Sequence, residues 1–417
     1  MHALTPTSSR GAVRAKLLTT LFVAQVCGST GHSIGLAVGS IMAASITGTN
    51  TWSGVPVAVG ALGTALASWP LARLMERAGR RPGLVLGYWL AVVGAGLGLL
   101  GVAVRHFPLM LVGMAFFGVA STSNLLARYA AADVSRPEHR GRAMGIIVWG
   151  STVGSIIGPN LTAPAIALGM HLGVPATASP FMVSVAGYGI AAMLTLLFLR
   201  PDPLALARLD AAADAGAAVG PARRLGEILA DGRVQIALAT LSISQFVMIS
   251  TTSTSPLYLH DQGHSVGVIG VAVALHLAGM YVASPLSGWL ADRFGRMPVI
   301  ATGALLLIAA VVLAGLLPGY AGPAIIFALF LNGVGWNLAF VSGSALLTDA
   351  LSPAERASVQ GLADLLMGLM GAVGSAVGGM ILGLWGFAIL NAVGALLVLG
   401  PLAFALLRRP ALAPARG

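Results

Sequence analysis

His276 and Met280 stand four residues apart in His276-Leu277-Ala278-Gly279-Met280, so on a helix they share one face. Met248 opens Met248-Ile249-Ser250-Thr251-Thr252, twenty-eight residues before His276. Imidazole and thioether together suit a soft ion such as Cu(I), so Met248, His276 and Met280 form a candidate metal set. The competing reading is packing. Methionine fills gaps in apolar helices, the chain has 15, and a lone buried histidine is commonly a hydrogen-bonded core group. On either reading His276 is a candidate for lining a central cavity. His260, Asp261 and His264 could collect a metal ahead of His276, or form a solvated loop.

Few other ionisable groups fall inside apolar runs, where they are functional candidates by default. Asp364 lies about two turns into one such run. It could carry a coupling proton, or pair with an arginine as a gate. Arg128 lies near the end of another run and reads as a loop anchor. His32 is mid-run. Asn124, Ser151, Thr152, Gln245, Ser250, Thr251, Thr252, Asn332, Trp336 and Asn337 suit a small organic solute, although helix–helix hydrogen bonding would use the same groups. Trp336 and Asn337, with Asn124, make the best pair of walls, and Trp336 can stack an aromatic solute. There is no H-E-x-x-H, no second cysteine beside Cys27 and no G-x-x-x-x-G-K-[ST]. An enzyme, an ATP-driven pump and a bound cofactor are therefore not expected.

These residues must be held by membrane helices. Hydrophobic residues make up 57% of the 417 and charged ones 9%, with a mean hydropathy of +0.90. A soluble domain carries about 25% charged residues. Spanning a bilayer takes about 20 apolar residues. Twelve runs qualify: 17–46, 51–75, 83–104, 108–130, 143–170 and 180–199, then 234–259, 267–290, 298–317, 322–348, 357–384 and 386–408. The first is too long for a signal-peptide core and reads as a retained helix. Twelve spans place both termini on one side. All arginines and lysines except Arg105 then fall on that side or at helix ends facing it, which marks it as the cytoplasm. Topology thus explains the net charge of +10 without nucleic acid.

The chain is also duplicated. Ala72-Arg73-Leu74-Met75-Glu76-Arg77-Ala78-Gly79-Arg80-Arg81-Pro82 returns as Gly288-Trp289-Leu290-Ala291-Asp292-Arg293-Phe294-Gly295-Arg296-Met297-Pro298, an offset of 216. Asp133, Pro137, Arg140 and Gly145 return at the same offset as Asp349, Pro353, Arg356 and Gly361. Two six-helix bundles follow, residues 1–199 and 234–417, with a cytoplasmic linker at 200–233. The whole segment from Arg200 to Arg233, with its Ala/Gly/Asp-rich middle from Asp210 to Gly220, reads as a plain tether rather than a regulatory element, and Leu225 to Ala230 as a short interfacial helix. Parallel repeats of this kind build secondary transporters.

The two turns resemble G-x-L-A-D-R-x-G-R-[RK]-P, the signature of the major facilitator superfamily, with Met297 where the second copy departs from it and Ala72 for Gly and Glu76 for Asp in the first. The resemblance implies an all-α fold of twelve transmembrane helices in two bundles related by a pseudo-twofold. It implies gating by Glu76, Arg77, Gly79 and Arg80, and by Asp292, Arg293, Gly295 and Arg296. The two acids would accept hydrogen bonds from the N-termini of the eleventh and fifth helices, hold an outward-open state, and let go as the halves rock. Ala72, in place of the leading glycine, would loosen its corner. Gly154, Gly158 and Pro159 in the fifth helix resemble the antiporter motif of drug–proton exchangers. Met248, His276 and Met280, with Thr252 where a second methionine is usual, resemble the CcoA-like copper importers, a branch that includes riboflavin-type transporters.

The expectation is a secondary transporter of the inner membrane, with both termini cytoplasmic, working by alternating access and driven by protons. Its cargo would be a small molecule or metal ion imported as in the copper/riboflavin branch. The alternatives are proton-driven export of drug-like molecules, and a membrane sensor on a transporter scaffold. The lipid bilayer and protons are the expected partners, and a monomer the expected state.

Overall fold

The computed structural model describes residues 7–49, 52, 55–215, 223–316 and 322–407. Among these the chain is helical throughout, without a strand. The helices are α1 (Thr7–Thr47), α2 (Val55–Ala78), α3 (Arg80–Ala103), α4 (Phe107–Val134), α5 (Arg140–Asn160), α6 (Thr162–His171), α7 (Pro180–Phe198), α8 (Pro203–Ala215) and α9 (Leu225–Ala230). They continue as α10 (Gly232–Asp261), α11 (Val266–Tyr281), α12 (Ser284–Phe294), α13 (Arg296–Leu316), α14 (Gly322–Asp349) and α15 (Arg356–Leu407).

Among the described residues, nine helical runs are long and apolar enough to cross a membrane, and α5 with α6 makes a tenth, bent by 50°. Pro159 has no N–H to give to the preceding turn, and the bend falls two residues later, at Leu161. Gly386, at φ 84°, divides α15 into two spans, and the 41-residue α1 completes the expected twelve. Large apolar side chains such as Leu62, Leu66 and Leu316 stay exposed, at 58, 68 and 80%. A bundle folded in water would hide them. In a bilayer they face lipid.

The chain falls into two compact units: Met1–Arg136, Gly150–Pro221 and Pro353–Leu365 in one, Pro137–Trp149, Ala222–Ser352 and Leu366–Gly417 in the other. Each unit thus takes a short stretch from the opposite half of the sequence. In the first unit α4 is the hub, packing on α1, α2 and α3. In the second, α14 packs on α10, α11, α12 and α13. Small residues allow the approach. A Cβ on Gly113 of α4 would come within 2.5 Å of the Gly98 nitrogen on α3.

The linker differs from the expected tether. Its first part is the helix α8, which packs on α4 through buried Leu204, Leu206 and Ala207. Asp202 starts it, accepting the Leu204 N–H at 2.9 Å just ahead of the first helical turn. The expected short helix at Leu225–Ala230 is present, and residues 216–222 lie outside the described residues. Asp231 then caps α10 by accepting the Arg233 N–H at 2.9 Å. Partial burial pushes its carboxyl up, but hydrogen bonds from Arg233 and Arg223 outweigh this and hold it below the usual carboxylate range.

Candidate functional site: two duplicated clasps and two polar walls

Both acidic turns are built on a glycine with positive φ, Gly79 at 101° and Gly295 at 89°. Side chains strain there, so glycine is what permits the reversal from α2 into α3 and from α12 into α13. Each turn delivers an arginine to the first position of the next helix.

In the second unit Arg296 Nε donates to Asp349 Oδ2 at 3.0 Å, and Asp349 Oδ1 accepts from Arg140 at 2.7 Å. In the first unit Arg80 Nε donates to Asp133 Oδ2 at 2.8 Å, and Asp133 Oδ1 accepts from Arg356 at 2.9 Å. Every residue in one triad is 216 positions from its counterpart in the other. The sequence flagged these aspartates and outer arginines only as marks of duplication. They are the second half of the clasp.

The acids then meet the start of a helix from the opposite sequence half. Asp292 accepts the N–H groups of Gly141 at 2.9 Å and Arg142 at 2.7 Å, in the first turn of α5. Those donors have no partner within their own helix, and the helix dipole favours an anion there. Arg296 also binds Asp292 and donates to the Pro137 carbonyl at 2.9 Å. Glu76, one methylene longer, accepts instead from the Ser358 hydroxyl in the first turn of α15. Arg77 and Arg293 are exposed.

Ala72 does not leave its corner loose. Its Cβ occupies the space against Gly361, where an added Cβ would collide with it. In the other clasp Gly288 lies against the Gly141 backbone and Gly145 against that of Ser284, so α12 and α5 touch backbone to backbone. Between Ala72 and Gly361 one glycine suffices, because the other site carries only a methyl group.

The clasps differ in depth. Arg80 and Asp133 side chains are 0% exposed, whereas Arg296 is 11% and Asp349 29%. The first clasp also reaches further: Arg80 donates to Gln360 at 2.5 Å, and Arg128 donates to Asp364 Oδ1 at 2.5 Å and to the Tyr129 hydroxyl at 3.0 Å. Arg128, expected as a loop anchor, is thus the buried partner of Asp364. Asp202 was also missed. It accepts the N–H of Arg81 at 2.8 Å and of Arg80 at 3.2 Å, tying the linker to the same turn. Its signal was Pro201-Asp202-Pro203, an acid before a helix-starting proline.

In the second unit His276 is buried, and Nδ1 donates to the Leu329 carbonyl at 2.9 Å. In the neutral ring Nε2 is then free to accept, and Thr252 Oγ1 lies 3.2 Å away. Both nitrogens are engaged, and Ser255, Pro256 and Leu329 lie around the same ring. Met248 and Met280 are buried, one turn before Thr252 and one turn after His276. Trp336 Nε1 donates to Gln245 at 2.8 Å, stacks on Phe340 at 4.6 Å and meets Tyr281 edge-on at 6.1 Å. Asn337 sits elsewhere. Its amide donates to the Met280 carbonyl and Ser284, and accepts from Ser287, bracing the break between α11 and α12.

In the first unit Asn124 accepts from the Tyr88 hydroxyl at 3.0 Å. His32 stacks on Phe117 at 5.3 Å and lies 3.3 Å from the Tyr188 hydroxyl. Gly154 and Gly158 of α5 pack against α1, where added Cβ atoms would strike the Val26 and Thr30 carbonyls at 2.5 and 2.6 Å. Among the described residues no group of three His, Cys, Asp or Glu side chains could hold a metal.

This duplicated geometry has close relatives. The family model of the Major Facilitator Superfamily matches residues 21–268 and again 255–416. An uncharacterised MFS-type transporter, YddS of Bacillus subtilis (strain 168), is 34% identical over 92% of this chain and 88% of its own. The riboflavin transporter RfnT of Brucella anthropi is 29% identical over 84% of this chain and 85% of its own. The crystal structure of the human organic anion transporter MFSD10 superposes with a TM-score of 0.73 at 17% identity, covering 96% of this chain and 100% of that one. The chain belongs to the major facilitator superfamily: it is a multi-pass membrane transporter with the twelve-helix fold of that family.

Proposed function

We propose that the protein imports a flat, heteroaromatic solute of the riboflavin type across the cytoplasmic membrane, by alternating access and with protons. Residues 1–199 and 234–417 act as the two moving halves, joined by 200–233, with both termini cytoplasmic and the chain working as a monomer. The observation that carries the cargo is the aromatic set Trp336, Tyr281 and Phe340 with the Gln245 amide at its edge. Rings of this size offer stacking area once the indole parts from Phe340, and the Gln245 amide, held by Trp336 in this state, offers the hydrogen bonds that a flavin edge requires. Likeness to a riboflavin transporter over most of both chains points the same way. Asn124 and Tyr88 supply a polar pair in the first unit, and Thr252 with His276 a second polar point. Asp364 carries the coupling proton.

Copper is the weaker reading. Thr252 is a poor Cu(I) ligand, and both His276 nitrogens already have partners in the protein. Drug export rests on Gly154, Gly158 and Pro159, whose glycines helix packing already uses, and on a likeness to the multidrug resistance protein MdtL of Klebsiella pneumoniae that covers only 26% of this chain.

The test is uptake of labelled riboflavin into proteoliposomes under an inward proton gradient. Accumulation that collapses with the gradient and falls about tenfold in Trp336→Ala, the loss of roughly 1.4 kcal/mol of stacking, supports the reading. No accumulation by wild-type protein contradicts the flavin assignment.

A further inference from the structure

The two clasps match residue for residue until the buried extension of the first. Asp364, Gln360 and Arg128 have Val148, Met144 and Ser344 as their counterparts 216 positions away. The second clasp therefore has no ion pair where the first has Arg128–Asp364. That pair is fully enclosed, at 1 and 0% side-chain exposure. Asp364 Oδ1 accepts from Arg128, while Oδ2 is buried without a hydrogen-bond partner among the described residues. A buried carboxylate normally uses both oxygens. One left open is a place for a proton.

Facing Asp364 is Arg128 on α4, which also donates to the hydroxyl of its neighbour Tyr129, and Arg80 on α3 acts on Asp364 through space. Asp133 on α4, with Gln360, Arg356 and Glu355 on the helix of Asp364 and the turn before it, completes the buried polar set. Glu76 of α2 reaches the same helix through Ser358. Gln360 lies one turn before Asp364 and holds Arg80, the arginine that binds Asp133. The pair is thus mechanically continuous with the clasp.

We propose that Asp364 is a protonation switch on this clasp alone. A proton entering from water adds to the carboxylate at Oδ2 and gives a neutral acid. Arg128 then loses its counter-charge inside a cluster that already holds Arg80 and Arg356. Like charges at close range in a poorly solvated site repel, and the start of α15 is driven from α2, α3 and α4. The second clasp, wetter and without a counterpart pair, follows as a passive latch. This rests on the alternating-access reading. It adds how the proton on Asp364 reaches the first clasp, and that control is one-sided despite the duplication.

The experiment replaces Cys27 with serine and places spin labels at Ala78 and Ala354, beside the first clasp, in purified full-length protein. Distances are read by pulsed electron resonance from mildly alkaline to mildly acidic pH, with no cargo added. The expected result is a second, longer distance that grows as pH falls. Asp364→Asn should show it at every pH. Asp364→Glu should restore a titration with a displaced midpoint, a readout that covers poor folding of the asparagine variant. Asp349→Asn, in the second clasp, should raise the open fraction without moving the midpoint. A pH response that survives Asp364→Asn with its midpoint unchanged overturns the proposal. A single distance in all variants at all pH values, Asp349→Asn included, instead overturns alternating access itself.

Discussion

Arg80 and Asp133 form an ion pair 2.8 Å long with both side chains fully enclosed, and Arg296 and Asp349 repeat it 216 residues later at 3.0 Å with Asp349 29% exposed. The same chemistry therefore works in two dielectric settings within one chain. Removing one member of a buried pair leaves a stranded charge, at a cost of about 3–5 kcal/mol. Losing a charge-assisted bond near water costs about 1.5–3 kcal/mol at most.

Asp133→Ala should accordingly lower thermal stability well beyond Asp349→Ala. Unfolding of detergent-purified protein, followed by intrinsic fluorescence, measures the gap. Equal losses would show that depth does not separate the clasps.

Gly361→Ala should disrupt the first clasp, because the new methyl group collides with that of Ala72. The double substitution Ala72→Gly with Gly361→Ala should recover stability and transport, since it moves the single methyl group to the other helix. Failure of the pair to rescue would mean that Gly361 is needed for something other than space.

Thr252→Met tests the cargo from the opposite direction. It restores the methionine that the copper branch carries and removes a hydrogen bond to His276. Cellular copper, measured by mass spectrometry, should be unchanged by wild-type protein and by His276→Ala. A copper rise with wild-type protein that disappears in Met280→Ala would replace the flavin reading with a metal one.

Much of this was readable from residues alone. The repeat at 216 exposed both turns, because a glycine at positive φ flanked by charges is a local requirement that one segment satisfies by itself. The spans followed from apolar length, and even the break at Gly386 falls where the eleventh and twelfth runs divide. What stayed hidden was pairing across distance. Nothing local to Arg128 announces Asp364, 236 residues on. Asn337 looked like a wall because a buried amide in a membrane helix suits either cargo or a neighbouring helix. The break between α11 and α12 decided for the neighbour, by offering a carbonyl and two hydroxyls. Asp202 lies in linker sequence, and its bond to the start of a helix 122 residues earlier leaves no trace in spacing.

The most direct measurement fixes the second clasp shut. Cysteines replace exposed Glu138 and Phe294, which flank the Arg296–Pro137 contact, in protein with Cys27→Ser. A short cleavable thiol cross-linker joins them, and riboflavin uptake is measured in proteoliposomes before and after cleavage. Transport should stop in the linked protein and return once the link is cut. Full transport with the two turns covalently held together would contradict the account.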